Sequence, residues 1–366
     1  MTRLETEVVQ MDGEDIILVR GLRDLRRVCM DWAHFSNDVL GRIQIPAEDQ
    51  TRDFRQYPIE FDPPAHGNWR ALVDSMFARP RTPEFEARIS DLVSWMVADL
   101  RARGGGEIVR DFALPLQSRA LAVLLDMPLS EGDLWASWGF HVFRSEGEND
   151  LDRAGALVRY LERTLDAATG DDSFFGRLQR MTIDGRPLTR HEQLGFAHLV
   201  FAGGRDTVIN LISGGIGYLA RNPAIFARLK TEPTLAVSAT EELVRFISPL
   251  SLLGRVCPGG GQIKDTTVQP GQRIGLCFAQ ANRDPAIFDD PDTIRIDRNP
   301  NPHVAFGSGP HTCLGNAHAR LLSRTVLTEF ATAFDRLEVV EATERTFDPR
   351  VGVSGLHFSR LVINAS

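Results

Sequence analysis

The chain has 366 residues, of which 43% are hydrophobic and 25% are charged, a composition typical of a folded globular protein. Its formal net charge of −8 argues against a duplex nucleic-acid partner, because phosphate contacts need clustered Lys and Arg. The chain contains no run of about 18 apolar residues, so no membrane span is predicted. Its first residues also lack the apolar core of a signal peptide. We therefore expect a cytoplasmic protein that does not enter a membrane.

The first third of the chain combines short elements with one long loop. Residues 14–20 predict a strand and residues 22–33 a short helix, whereas residues 34–61 show no period and predict a functional loop. A helical pattern begins at Pro64, where a proline loses no helical hydrogen bond, and ends at the glycines 104–106.

The middle of the chain is predicted to be helical. Residues 112–169 carry several helices that break near Pro128 and Gly147. Residues 181–188 predict a hairpin, because an Asp-Gly turn lies between apolar residues.

A long apolar helix is predicted from Thr189 to about Arg221. Thr189 and Glu192 match the capping box, in which two side chains satisfy free backbone N–H groups at a helix start. The sequence GGRDT at 203–207 interrupts this helix, and each glycine costs roughly 1 kcal/mol relative to alanine. A purely structural helix has no need of that penalty, so 203–207 is a candidate functional segment.

The last third of the chain mixes two helices with short strands. Helices are predicted over 235–247 and about 314–334, with strands and turns over 250–304 and a final alternating segment. Helices dominate and strands fall in small groups, so the fold class is mainly α with small β-sheets. Although the length suggests two or three domains, we expect residues 1–366 to form a single domain.

Cys313 differs from the other three cysteines in its surroundings. Cys29, Cys257 and Cys277 lie in amphipathic or β-like segments and are expected to be buried hydrophobic residues, and no CxxC spacing indicates zinc. Cys313 follows a glycine-rich loop and precedes a helix, whose N–H groups and dipole are expected to lower the pKa of the thiol. Glycines allow close approach of a flat ligand, and a thiolate held in this way suits a haem iron.

The segment FGSGPHTCLG at 306–315 resembles the haem-binding pattern FxxGxxxCxG of the cytochrome P-450 superfamily. Four further segments agree with that family in order and spacing, and the resemblance covers about residues 14–364. The versions GGRDTVIN, DGRPLT, FDPPAH and VSGLHF resemble the bacterial camphor-hydroxylase group. The four further segments are HGNWR at 66–70, GGRDT at 203–207, ELVR at 242–245 and ANRDP at 281–285.

The resemblance implies a cytochrome P-450 fold that holds haem b between the long central helix and the helix after the Cys313 loop. Cys313 is then the iron ligand, and Phe306 packs beside the thiolate. His66, Arg70, Arg255 and His311 are expected to bind the haem propionates, since Arg in particular pairs with carboxylates. The other cofactor-binding positions are Gly203, Gly309 and Gly315.

The resemblance also implies the catalytic and the structural residues. Asp206 and Thr207 would relay protons from water for the activation of O2, with room for oxygen left by Gly203 and Gly204. Arg205 is expected to point away into a salt bridge. Glu242, Arg245 and Arg298 would form a buried structural network, because a buried charge needs a partner.

The substrate is expected to be a small hydrophobic molecule, terpenoid-like or aromatic, that is hydroxylated with O2 and two electrons. Few polar residues fall among the candidate pocket positions, which favours an apolar ligand. Alternatively, Arg52 and Arg55 could bind a carboxylate of the substrate. The candidate walls are the loop over 45–61 with Tyr57, then Leu199, Val200, Leu250–Leu253 (with Leu252 and Leu253) and Ser354–Leu356.

Electrons must come from another protein, because the chain has no flavin or iron–sulfur module. By resemblance we expect a [2Fe–2S] ferredoxin with an NAD(P)H-dependent reductase, and a monomeric enzyme. An acidic ferredoxin would need a basic face near Cys313. Candidates for that face are Arg70, Arg79, Arg81, Arg320 and Arg324.

Two alternatives to an oxygen- and electron-driven monooxygenase remain at this stage. The chain could be a haem protein that senses or sequesters a ligand without turnover, although such a protein has no need of the Asp206-Thr207 pair. A peroxide-driven enzyme is disfavoured by the same pair. The strand at 14–20 and helix at 22–33 match segments that family members reach only after an extra helix, so the N-terminus is expected to be trimmed or to have a late start codon.

Overall fold

The computed structural model describes residues 6–48, 52–139, 150–345 and 356–366. Helices dominate this part of the chain, as the sequence predicted. They are α1 (Leu22–Met30), α2 (Ala65–Ala78), α3 (Pro83–Ala102), α4 (Leu114–Leu124), α5 (Leu129–Ser137), α6 (Asp150–Ala167), α7 (Phe174–Arg180), α8 (Arg190–Gly204), α9 (Asp206–Arg221), α10 (Pro223–Thr231), α11 (Leu235–Ile247), α12 (Phe278–Ala281) and α13 (Asn316–Ala333).

Short strands form small sheets beside the helices. Within the described residues the sheet orders are β1-β2-β9-β6, β10-β11-β3, β4-β5 and β7-β8. The strands are β1 (Glu7–Met11), β2 (Glu14–Val19), β3 (Gly105–Glu107), β4 (Thr182–Ile183), β5 (Arg186–Pro187), β6 (Leu252–Cys257), β7 (Gly261–Ile263), β8 (Thr266–Val268), β9 (Gln272–Cys277), β10 (Leu337–Glu344) and β11 (Phe358–Ala365).

The largest sheet joins the first two strands of the chain to β6 and β9, which are more than 230 residues later. β2 pairs in parallel with β9, with Ile17 opposite Ile274, and β9 pairs antiparallel with β6. The apolar run Ile16–Val19 is fully buried in this sheet, as expected for a strand covered on both faces. β6 thereby brings Arg255, opposite Ile274 in the register, to the sheet beside the Cys313 loop.

The central helix predicted from Thr189 to Arg221 is interrupted. Its start is confirmed, because Thr189 and Glu192 make both hydrogen bonds of the capping box. At Arg205 the backbone leaves the helical geometry, with φ −105° and ψ −74°, and α8 gives way to α9. The glycines at 203 and 204 therefore mark a real break, and it lies at the segment singled out from the sequence.

Glu242, Arg245 and Arg298 form a buried ion network between α11 and the loop after α12. Two nitrogens of Arg245 donate to the two carboxylate oxygens of Glu242 at 2.8 Å, and Nε of Arg298 lies 3.0 Å from each oxygen. Each charge has a partner, so burial of the network is tolerated. Within the described residues, no helix combines the length and the apolar character needed to cross a bilayer.

Candidate active site

An internal cavity lies between the break in the central helix and the loop that carries Cys313. Gly203, Gly204, Thr207 and Val208 line it from the central helix, and residues 305–308 and 311–315 line it from the Cys313 loop. The loop 52–61, strand β6 and the first turns of α13 complete the wall. This is the position expected for haem from the sequence.

Cys313 faces this cavity. Cys29, Cys257 and Cys277 are buried, as expected, whereas the side chain of Cys313 is exposed to the cavity space. Its backbone N–H donates to the carbonyl of Phe306 at 2.8 Å, which holds the loop in a tight turn.

The expected effect of the helix end on Cys313 is present but is outweighed by burial. α13 begins at Asn316, and its N-cap Gly315 lies two residues after the thiol. Burial raises the pKa of the thiol, and the N–H of Gly315 with the charges of Arg70 and Arg320 offsets only part of that effect. The thiolate therefore needs a further positive charge, which a bound metal ion supplies.

Four basic side chains converge on one side of the cavity. His66 and Arg70 come from α2, Arg255 from β6 and His311 from the Cys313 loop, and all four line the cavity. The His66 and His311 rings lie 4.2 Å apart between centroids. Burial and the neighbouring positive charge of Arg70 lower the pKa of His66 to about 4.

Two of these groups lack partners in the protein. Arg255 is buried, donates to the carbonyl of Gly254 at 2.8 Å and has no carboxylate in ion-pair range among the described residues. Both ring nitrogens of the half-buried His311 are buried and have no hydrogen-bond partner in the described part of the chain. An unpaired buried cation costs several kcal/mol, so this side of the cavity calls for a ligand with carboxylates. Together with the cysteine sulfur, these residues fit haem and its propionates.

The break in the central helix places its polar groups in two directions. Thr207 lines the cavity, and its hydroxyl donates to the carbonyl of Gly203 at 3.0 Å. Gln117 of α4 donates its amide to the carbonyl of Gly204. Asp206 is absent from the cavity lining, and its Oδ1 is buried. The two freed carbonyls are thus satisfied by side chains, which stabilises the open turn.

Arg205 points away from the cavity, as expected, but not into a salt bridge. Its side chain is 1% exposed, and Nη2 donates to the carbonyls of Trp135, at 2.9 Å, and Gly139 at the end of α5. Among the described residues it has no carboxylate partner, and burial lowers the pKa of its guanidinium. Carbonyl groups at a helix C-terminus attract a cation, which explains this choice of acceptors.

Tyr57 belongs to an aromatic wall of the cavity. Its ring lies 4.6 Å from Trp69 and 5.5 Å from Phe196 between centroids. A Cβ on Gly195 of α8 would lie 2.0 Å from the carbonyl oxygen of Arg55 and 2.6 Å from Cδ2 of Tyr57. Gly195 therefore lets the loop press against the helix.

The side chains of Arg52 and Arg55 bind carboxylates of the protein itself. Both side-chain amino groups of Arg52 bond the buried carboxylate of Glu60, and Arg55 pairs with Asp38. Because these guanidinium groups already have acidic partners, the carboxylate-binding alternative is wrong.

Two other predicted wall positions, Leu252 and Leu356, lie outside the cavity lining. On β6, Leu253 lines the cavity, but Leu252 packs toward Ile16 and Leu18 of β2, because successive strand residues face opposite sides. Leu356 packs on α9, where its carbonyl oxygen would lie 2.5 Å from a Cβ on Gly214, and Ser354 lies outside the described residues.

Gly309 likewise serves the backbone rather than the cofactor. Its φ is +74°, and a Cβ there would lie 2.9 Å from the carbonyl oxygen of Cys29. Leu199, Val200 and Gly315 line the cavity as expected, as does Phe306, whose ring lies 4.3 Å from the guanidinium carbon of Arg320.

The expected basic face is largely neutralised within the chain. Arg70 pairs with Asp74, Arg79 with Asp126, Arg320 with Glu241 and Arg324 with Glu86. Arg81 is exposed and has no ion pair among the described residues.

Sequence reasoning missed two polar residues of the cavity wall. Asn37 is buried with Oδ1 unpartnered, and His318 on α13 is buried with both ring nitrogens unpartnered in the described residues. The signal for His318 was available, because the nearby Ala317, Ala319, Leu321 and Leu322 of the predicted helix are apolar.

Comparisons with known proteins agree with this geometry. A cytochrome P450 family model matches residues 162–354. Steroid C26-monooxygenase of Mycobacterium tuberculosis is 32% identical over 72% of this chain and 73% of its own length. Pentalenic acid synthase of Streptomyces avermitilis is 31% identical over 94% of this chain and 88% of its own length.

A solved structure described as a carbohydrate active P450 is 37% identical, with a TM-score of 0.94, over 98% of this chain and 94% of the other. The mainly helical fold with small sheets, predicted from the sequence, is thereby confirmed. Membership of this family implies a haem-thiolate centre and the use of O2. The chain belongs to the cytochrome P450 family and is a monooxygenase of that family.

Proposed function

We propose that this P450 hydroxylates a small hydrophobic molecule and receives two electrons from a separate protein. The observation that carries the proposal is the apolar character of the cavity wall away from the Cys313 loop. Such a wall binds by burial of apolar surface, with few polar groups to orient the ligand. One relative is named for a steroid substrate, which supports the same class. The wall residues are Tyr57, Ile59, Phe196, Leu199, Val200, Val208, Leu250 and Leu253.

Different residues of the site are proposed to bind the cofactor and to supply protons. Haem b, when bound, supplies the iron at which O2 is reduced and activated. Cys313 would hold the iron through its sulfur, and Arg255 with His311 would bind the propionates. The hydroxyl of Thr207 would hold a proton at the cavity wall, and Asp206 would replace it from the buried side.

Two measurements test this proposal. The reduced carbon-monoxide complex of the wild type should show the red-shifted band of a thiolate ligand, and C313S should lose that band. A screen of terpenoids, steroids and small aromatics for substrate-induced haem spectral shifts should yield ligands that are hydroxylated on turnover. If binding compounds were never oxidised with reductant and O2 present, the proposed hydroxylation would be wrong.

A carbohydrate derivative is a second candidate substrate. The 37% identical relative is described as carbohydrate active, and its identity exceeds that of the two relatives named above. The buried Oδ1 of Asn37 at the cavity wall is an acceptor without a partner in the described residues, as a hydroxyl-rich ligand would require. Methylated and free monosaccharides in the same spectral screen separate the two classes, and N37L should weaken binding of a sugar only.

We further propose that a [2Fe–2S] ferredoxin and an NAD(P)H-dependent reductase in the cytoplasm supply the electrons. The free thiols of Cys29, Cys257 and Cys277 support a reducing compartment. If the ferredoxin and its reductase support turnover of the purified enzyme and a flavodoxin does not, this choice of partner is supported.

A further inference from the structure

His318 is a buried imidazole that the protein itself leaves without a hydrogen bond. Its residue is 3% exposed, and neither ring nitrogen has a partner among the described residues. It lies on the first turn of α13, and its side chain is part of the lining of the Cys313 cavity. Buried polar groups in native proteins are almost always paired, so an unpaired one indicates a partner that is not protein.

The surroundings of His318 offer no alternative role. Its neighbours Ala317, Ala319, Leu321 and Leu322 are apolar and buried. Phe85 contacts the ring edge to face, with 6.3 Å between centroids and 76° between planes, and this contact would be made equally well by a phenylalanine. The imidazole therefore costs desolvation free energy that an apolar residue at this position would avoid.

The imidazole is also neutral at physiological pH. Burial alone lowers the pKa of His318 to about 4. A neutral imidazole offers one N–H donor and one acceptor nitrogen, and neither has a partner among the described residues.

We propose that His318 is a haem-binding residue that donates its N–H to the cofactor from the side of α13. The donor acts on the electron-rich macrocycle, either at its face or at its edge. It therefore stabilises the bound haem and favours the more electron-rich, reduced state. The inference rests on haem filling this cavity, as membership of the family requires.

H318F is the central test, because it keeps a planar ring against Phe85 and removes the N–H. Haem should leave the H318F holoenzyme for a haem-scavenging globin about 5- to 100-fold faster than it leaves the wild type. The reduction potential of the bound haem should become more negative. H318Q, which keeps an N–H donor, should recover part of both effects.

H357F is the matched control. His357 is a second buried histidine, lies outside the cavity lining and has its Nε2 2.8 Å from the carbonyl oxygen of Ile247. H357F should lower stability without a change in potential. If H318F does not fold, H318L and H318Q are compared in its place. Haem loss and potential equal to the wild type in H318F or H318L would overturn the proposal, whereas failure of the wild type to show the thiolate band would instead contradict the proposed function.

Discussion

Thr207 and Asp206 are consecutive residues with different surroundings. Thr207 lines the cavity and its hydroxyl donates to the carbonyl of Gly203, whereas Asp206 is outside the lining and has a buried oxygen. On the proposed function, Thr207 would present a proton to the cavity and Asp206 would replace it. The sequence motif alone does not reveal this order.

Substitution of Thr207 tests that order. T207A removes the hydroxyl at the cavity wall, so less of the NAD(P)H consumed should appear as hydroxylated product, with a decrease of about 10- to 100-fold. T207S keeps the hydroxyl and should retain most of the wild-type ratio of product formed to NAD(P)H oxidised. A wild-type ratio in T207A would exclude this hydroxyl from proton delivery.

At the scale of elements, α8 and the loop over 52–61 pack closely because Gly195 has no side chain. A Cβ on Gly195 would overlap the carbonyl of Arg55 and the ring of Tyr57. The loop gains rigidity from the buried Arg52–Glu60 pair, so it cannot yield easily. Helix and loop therefore form one wall of the substrate cavity.

G195A should disturb this wall. Overpacking should lower the free energy of unfolding by about 1–3 kcal/mol, and the ligand-induced spectral shift should weaken because Tyr57 moves. G67A is the control, since a Cβ on Gly67 of α2 meets nothing within 4 Å. It should stabilise the helix by about 0.5–1 kcal/mol. Chemical unfolding and ligand titration of both variants check the contrast, and equal stability of the two would contradict it.

The elements themselves were largely predictable, but their junctions were not. The helix over 235–247 and the capping box at Thr189 followed from periodicity and capping chemistry, which are local. Strand β3, which begins within the glycines 104–106, was missed because glycine favours turns, and only pairing with β11 makes it a strand. The net effect on the Cys313 thiol was missed because burial, which raises its pKa, depends on tertiary packing.

The cavity residues likewise differ in whether a local sequence signal could place them. Residues fixed by a motif, such as Cys313 and His311, lie where they were expected. Leu252 and Leu253 could not be told apart without the register of β6, because a shift of one residue reverses the face. His318 depended on which face of α13 meets the cavity.

At the scale of the whole molecule, the net charge of −8 and the paired arginines limit the docking of an acidic ferredoxin. Nη2 of Arg324 lies 2.7 Å from Glu86, so its charge is already compensated. E86Q frees this guanidinium on the α13 side and should raise the rate of reduction by ferredoxin a few-fold at low ionic strength. E344Q frees Arg221 at the end of α9 and changes the net charge equally. Equal rates for the two variants in stopped-flow reduction would argue against local docking there.

Stability of the whole chain should also depend on pH through buried histidines. Burial lowers the pKa of His198 to about 3 and that of His357 to about 4, from an ordinary value of 6.5. The unfolded chain then binds protons first as the pH falls, so these groups stabilise the fold above pH 6.5. That contribution is lost as the pH falls from about 6.5 to about 4 for His357 and to about 3 for His198. Each contributes up to about 1.4 kcal/mol per pH unit.

Urea unfolding from pH 7.5 to 4.5 measures this slope. H198Q/H357Q removes both groups and should give a shallower decline, whatever its stability at neutral pH. An unchanged slope would show that other groups carry the acid sensitivity.

The parallel pairing of β2 with β9 has a consequence for synthesis. The buried run Ile16–Val19 leaves the ribosome about 250 residues before its partner strand around Ile274. At roughly 5–20 residues per second, this interval lasts roughly 10 to 50 s. During that time an apolar strand edge has no native partner and can pair with other nascent chains. Slower initiation or additional chaperone during expression should therefore increase the yield of folded protein.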